Sequence, residues 1–413
     1  MKLPRENLQK AAFYLAFCSA VAILFSIAVS QSLLGLALAA LFLSGAPLRM
    51  PPIWLPLSLF LLGTTLSLAF STDPAAGLPQ IRKFYVFTML LVVFSTIRDL
   101  ITARRLFLCW SAAGALIAGR GLVQFVSKVQ EAHALGRSFY DYYVGERITG
   151  FMSHWMTFSG QEMFELLMLL SFLFFAPDVR KRRFVWLFCG TVVALALVLG
   201  DTRSIIYLAF PVAALYLMWF WKPWLVLAIP AVILVALWFS PGHVHDRFLS
   251  IFQPKKNTDS NAFRVVAMRT GWRMIEAHPW LGLGPEEVKA QFQAYVPSDI
   301  PRPLPSGWYG HLHNIYVHYA AERGIPTMLM LLWMLLQILY DFGKAVRRLP
   351  AGRGNARFLL HGGIACVIAT MLGGMFELNL GDSEPLTMFL VIVACGYVAV
   401  EKSREALVES AAG

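Results

Sequence analysis

The chain has 413 residues, 58% of them hydrophobic and only 14% charged, with a mean hydropathy of +0.61. That balance excludes a soluble globular domain and a disordered chain, and it indicates an all-α polytopic membrane protein. The formal charge of +11 sits largely between apolar runs, where it reports topology and attraction to anionic lipid. It gives no argument for nucleic acid.

Apolar runs occur at 12–29, 30–45, 54–70, 84–97, 106–126, 155–176, 184–200, 204–221, 223–240, 314–341, 358–380 and 386–401. Each is read as a span, giving about twelve transmembrane helices. The opening Met1–Lys10 and its apolar run resemble a secretory signal with Ala28-Val29-Ser30 as a weak cleavage site. The run is longer than a signal core, so an uncleaved anchor is expected. Lys and Arg set the orientation. Arg180, Lys181, Arg182 and Arg183, and then Lys344, Arg347, Arg348, Arg353 and Arg357, fall in alternate short segments. Both termini are therefore expected in the cytoplasm. All five cysteines lie in apolar runs, so neither a structural disulfide nor thiol chemistry is expected.

The chain reads as one membrane domain, 1–413, with a smaller outer loop at 127–154 and a large one at 241–312. The second is too long for a bare connector and is expected to fold. Within it, 261–277 has helical spacing, Phe263, Val266, Ala267, Met274 and Ile275 recurring at three and four residues with Arg264, Arg269 and Arg273 among them. His278-Pro279-Trp280-Leu281-Gly282-Leu283-Gly284-Pro285 then reads as a turn, and Pro297–Gly310 as a loop.

His313-Asn314 ends the large loop, and Gly324-Ile325-Pro326-Thr327 follows nine residues later. On a continuous helix an eleven-residue step is about three turns, placing His313, Gly324 and Thr327 on one face. An imidazole would then stand above a column of small residues open to another helix or a lipid. His318, five residues on, would point about 140° away. Taken alone, the pair reads more readily as a helix cap and the glycine as a packing residue, and context must overturn that.

The topology brings Arg147, Arg203, Arg264 and His313 to one side of the membrane from four places in the chain. Arg203, in Gly200-Asp201-Thr202-Arg203-Ser204, is either an interfacial anchor or a functional cation. Arg264 and Arg269 on an amphipathic helix also fit a solvated face. Arg147 has Glu146 as a neighbour, and Arg120 is expected to pair with Glu162 or Glu165 as a structural group. Several guanidiniums around one imidazole suit displacement of a lipid pyrophosphate. Arg binds phosphate oxygens in bidentate fashion, and a base of near-neutral pKa activates the attacking hydroxyl. One displacement without a carboxylate nucleophile inverts the anomeric centre. The rival chemistry is a metal site from His243, His245 and Asp246 with His311 and His278. No His/Glu helix motif or Cys ligand supports it, so no metal and no cofactor are expected.

His313-Asn314-x9-Gly324-x-x-Thr327, after Arg264 and His278-Pro-x-x-Gly282-x-Gly284, resembles the Wzy_C region of O-antigen ligases and related O-antigen polymerases. Asp201-Thr202-Arg203-Ser204 is similar to that family's stretch at the outer end of a helix, with Thr202 where Ser is usual. The specific resemblance covers about 200–330. It implies a C-type membrane glycosyltransferase fold in a Gram-negative inner membrane, acting at the periplasmic face without a metal. It also implies an undecaprenyl-pyrophosphate-linked O-antigen donor, His313 as base, and Arg203 and Arg264 as pyrophosphate contacts. Arg147, Arg269 and Asn314 join them as candidate substrate contacts. With lipid A-core oligosaccharide as acceptor the activity is that of an O-antigen ligase. An O-antigen polymerase or a protein O-oligosaccharyltransferase would keep the chemistry and change the acceptor. A lipid or glycan transporter would instead show charges or helix breaks near the bilayer midplane.

Overall fold

The computed structural model describes residues 4–227 and 260–412, and every regular element among them is helical. The first ten helices are α1 (Arg5–Ala22), α2 (Ile27–Ser44), α3 (Trp54–Ala69), α4 (Pro74–Arg82), α5 (Phe84–Thr96), α6 (Leu100–Ala134), α7 (Phe139–Gly145), α8 (Trp155–Phe175), α9 (Arg183–Leu199) and α10 (Phe210–Trp221). After the large loop begins come α11 (Ser260–Ala277), α12 (Glu287–Tyr295), α13 (Ile315–Arg348), α14 (Asn355–Gly373) and α15 (Ser383–Ala412). Local chemistry sets many boundaries: Ser26, Asp73, Asp99 and Asn314 each cap a helix by accepting from backbone N–H groups of its first turn.

Eight stretches among the described residues are long and apolar enough to cross a bilayer, against the twelve or so expected. They are α2, Pro74–Thr96, α6, α8, Val179–Leu199, α13, α14 and Ser383–Glu409. α1 carries Arg5, Glu6 and Lys10 in its first two turns, α3 has 16 residues, and Ile205–Trp221 is short as well. The run 223–240 lies mostly outside the described residues. The smaller loop also differs from its expected bounds. α6 continues through Ala134, about 52 Å of helix, because Lys128 and Glu131 form an ion pair one turn apart instead of breaking it.

Contacts between helix ends sort the bundle. At one end Arg49 pairs with Glu401, Arg104 donates to Asn355 and Gly354 N–H donates to the Phe175 carbonyl. At the other, Lys83 donates to the Gly381 carbonyl, Thr157 to Asp382, and Ile315 N–H to the Gly374 carbonyl. α8, α13 and α15 therefore begin at this second end, the site end, where α14 finishes. Phe25, just after α1, touches Phe151 before α8, so α1 also runs toward the site end. The first and last helices thus start and finish at the opposite end.

α8, α14 and α15 form the hub: 83%, 78% and 89% of their spanning windows are buried, against 22% for Val179–Leu199. α9 instead leaves Phe184 87% and Phe188 69% exposed, a surface that water would penalise and lipid tails would not. Small residues let the hub close: Gly363 of α14 and Gly396 of α15 both sit against the Phe342 ring of α13.

Residues 260–312 build a second apolar core on the first turns of α13. Val266, Ala267, Met274 and Ile275 of α11 meet Leu283, Val288, Phe292 and Leu312, with Val317, Ala320 and Ala321 beneath. α11 matches the expected helical spacing; α12 was not anticipated.

Candidate active site at the mouth of α13

His313 does not stand on a helix. Asn314 is the N-cap of α13, and His313 precedes it with a φ of 50°, a left-handed conformation uncommon outside glycine. Nor is α13 continuous: Gly324 has φ 82° and ψ 158°, and the helix breaks there. The expected shared face of His313, Gly324 and Thr327 is therefore wrong. Thr327 packs instead on Gly63 of α3. Pro326 contributes: it has no N–H to give the Glu322 carbonyl, and it lies in the first turn after the break, where proline is tolerated.

The turn at 278–285 repairs the break. Ile325 N–H donates to the Pro279 carbonyl, while the freed Ala321 and Glu322 carbonyls accept from Leu283 and Gly284 N–H at 2.9 and 2.8 Å. Ser67 Oγ adds a donor to the Glu322 carbonyl at 2.8 Å. Glycine is required on both sides: a Cβ on Gly324 would strike the Trp280 carbonyl, and one on Gly282 the Glu322 carbonyl. The two motifs legible in sequence are thus two halves of one backbone joint, which fixes the loop over the mouth of α13.

Away from that joint, at the starts of α11 and α13, Arg264 of α11 donates from Nη2 to Glu377 Oε1 at 2.7 Å, and Glu377 Oε2 faces His313 Nδ1 at 4.0 Å. His313 and Glu377 side chains are only 6% and 8% exposed. Ser204 Oγ lies 3.5 Å from the same Oε1, and Thr202 donates to Ser159 on α8. Asp201 is 3.9 Å from Arg147, whose guanidinium lies over the Trp155 ring. The 201–204 stretch, with Arg203 in its middle, therefore links Arg147, α8 and Glu377. Arg264 and His313 thus meet at Glu377, and the 201–204 stretch reaches the same carboxylate from one side and Arg147 from the other.

Other expected partners differ. Glu146 pairs with Lys128, leaving Arg147 to Asp201. Arg120 donates to the Gly150 carbonyl and lies over Phe151 instead of meeting Glu162 or Glu165. Those two acids are buried in α8, with Gln161 donating to Glu165 and Gly114 leaving space for its carboxyl. Polar groups are thus not confined to the rim. Arg269 pairs with Asp299 at 2.7 Å on an exposed face, because five residues of helix turn it about 140° from Arg264. The amide of Asn314 is committed: its oxygen accepts from Tyr316 and Val317 N–H, and its nitrogen donates to the Met375 carbonyl. The structure gives both residues scaffolding contacts, where a substrate contact was expected.

The histidines also regroup. His311 Nδ1 accepts from His313 N–H at 3.1 Å, its ring lying 4.0 Å from that of His313 and 6.3 Å from that of His318. Burial, followed by the neighbouring His313, Arg264 and His154, pushes the His311 pKa down to about 3. His318 Nε2 faces Glu322 at 3.3 Å, so it is not the remote residue that helical geometry predicts. His278 is bonded to the Tyr295 hydroxyl. Among the described residues no three His, Cys, Asp or Glu are grouped as metal ligands would be; His243, His245 and Asp246 lie outside those residues.

Glu377 is the residue that sequence reading missed. It falls inside the expected span 358–380, where one acid does not interrupt an apolar window. A lone acid near the end of an apolar run was the available clue.

Residues 188–332 match the family model Wzy_C, described as O-antigen ligase. The matched segment holds Arg203, Arg264, His313 and both halves of the backbone joint, in a chain with eight helices among its described residues long and apolar enough to cross a membrane. No curated protein matches the chain.

Proposed function

We propose that the protein is an O-antigen ligase of the Gram-negative inner membrane. It transfers polysaccharide from undecaprenyl pyrophosphate to a sugar hydroxyl of lipid A-core oligosaccharide. What supports this reading is a buried imidazole joined to Arg264 through Glu377 at a loop-covered helix mouth, with the 201–204 stretch that carries Arg203 reaching the same carboxylate and Arg147. Arg264 and Arg203 bind the pyrophosphate and stabilise the charge that develops on it, and Arg147 adds to the field. His313 removes the proton of the acceptor hydroxyl, which attacks the anomeric carbon from the face opposite the leaving group, with inversion. Charge stabilisation comes from guanidiniums, without a metal. The C-type glycosyltransferase fold, periplasmic site end and cytoplasmic termini belong to the same reading. Its support is the arginine-rich end that gathers Arg49, Arg104 and Arg357 away from the site.

The test is transfer by the purified full chain from an undecaprenyl-pyrophosphate glycan, in excess EDTA, to lipid A-core or to a second glycan donor. Product on lipid A-core is expected. Elongated carrier-linked polymer would make the protein a polymerase, and transport without a new glycosidic bond would make it a transporter. Buried Glu162 and Glu165 are the feature a transporter reading would start from.

A further inference from the structure

Glu377 stands between the two groups that the proposed reaction needs. Its Oε1 holds Arg264 at 2.7 Å, while its Oε2 lies 4.0 Å from His313 Nδ1. On the far side of the ring, Nε2 is 3.0 Å from the Trp308 carbonyl oxygen. A carbonyl can only accept, so Nε2 carries the hydrogen and the neutral ring turns a lone pair at Nδ1 toward the carboxylate. Two acceptors do not bond. That accounts for the gap, and for His313 Nδ1 and Glu377 Oε2 both being buried without a hydrogen-bond partner among the described residues.

We propose that Glu377 is a shared counter-ion: it neutralises Arg264 in the empty site and is handed to His313 when a pyrophosphate engages Arg264. The inference rests on the function proposed above. Arg264 Nε is a further buried donor with no partner among the described residues, so the guanidinium has capacity for an arriving phosphate. In the transfer step the acceptor oxygen bonds to the anomeric carbon and its proton moves to Nδ1. The bond from that carbon to the phosphate oxygen breaks, and the electron pair leaves on the pyrophosphate. The new imidazolium N–H then meets Oε2 after a closure of about 1 Å. Charge is balanced before and after: Arg264 with Glu377, then Arg264 with pyrophosphate and Glu377 with the imidazolium. The other titratable groups around the His311–His313 pair are Arg264 on α11, His318 on α13 and His154 before α8, all bases or cations. Asp382, which faces His154, is bound by Thr157. Glu377 is thus a positioning residue acting through His313, at its Nδ1.

The pH–rate profile of the full chain in nanodiscs, with an undecaprenyl-pyrophosphate glycan and a glycan acceptor, tests this. Glu377→Gln keeps an acceptor for Arg264 but loses the charge. Its kcat is expected to fall about 10- to 100-fold, with donor KM unchanged or lower. The acid limb should move down by about half a pH unit or more, because the imidazolium forms less readily beside a neutral amide. Glu377→Asp, with the charge one methylene further away, moves the limb the same way by less. A limb that stays in place in Glu377→Gln, or a raised donor KM at constant kcat, makes Glu377 a mere fastener for α11 and overturns the proposal. Where the Gln variant does not fold, an Asp limb at or above the wild-type position does so. An inactive His313→Ala beside a wild-type-like Glu377→Gln sinks this inference alone; an active His313→Ala sinks the reading beneath it as well.

Discussion

Gly324 and Trp280 meet backbone to backbone: the Trp280 carbonyl occupies the space where a Cβ on Gly324 would stand. Gly324 also has a φ of 82°, which side chains other than hydrogen tolerate poorly. The joint they make holds the large loop, and with it Arg264, over His313.

Gly324→Ala should therefore cost about 2 kcal/mol or more, combining backbone strain with a clash against rigid backbone. Thermal unfolding of the detergent-solubilised protein measures it, and transfer activity should fall in parallel as the loop lifts. Gly343→Ala is the control, since a Cβ there meets nothing within 4 Å. A Gly324→Ala midpoint equal to that of the control would remove the joint from the account.

Arg264→Ala and Arg203→Ala are each expected to lower turnover by about two to three orders of magnitude, the range for losing one preorganised charge donor. Lysine should rescue only partly, lacking the planar fork. Arg264→Ala also strands the carboxylate of Glu377, at a cost of up to about 3 kcal/mol. The Arg264→Ala/Glu377→Ala double variant should recover stability without recovering activity. Recovery of both would reduce Arg264 to a structural partner.

Much of the fold was legible because a bilayer admits few alternatives to helices, and apolar runs therefore locate them. Of the candidate site, Arg264 and His313 were legible as polar groups of the large loop, and the structure joins them through Glu377. What failed depended on chain paths that periodicity does not carry. The break at Gly324 is stabilised by Leu283 and Gly284, some forty residues away, so an eleven-residue step could not be read as three turns. Arg269 was grouped with Arg264 by proximity in sequence, although the helix sends it to Asp299. Glu377 was absorbed into an apolar window, and its meaning appears only where the segment after α14 meets Arg264 of α11.

His311 sets a pH limit on stability. Its Nδ1 must be unprotonated to accept from His313 N–H, and its folded pKa of about 3 lies below the unfolded value of about 6.5. Between those values the unfolded chain binds the proton and the folded one does not, so stability is full above about pH 6.5 and falls as pH drops toward about 3. His311→Asn, which cannot be protonated, should flatten the dependence of the unfolding midpoint between pH 6.5 and 4.5. A slope identical to wild type would mean that other groups, such as His154, carry the effect.

The central claim is that His313 is the base, and single-turnover transfer by His313→Ala tests it most directly. The variant should insert and fold like wild type, since Asn314 and not His313 caps α13, yet transfer should fall by about two to four orders of magnitude. His278→Ala is the appropriate control, because His278 bonds Tyr295 and is exposed, whereas His311 and His318 lie too close to serve. Near-complete loss in His313→Ala with normal transfer by His278→Ala is the predicted result; a folded His313→Ala that retains most of its transfer rate would contradict the account.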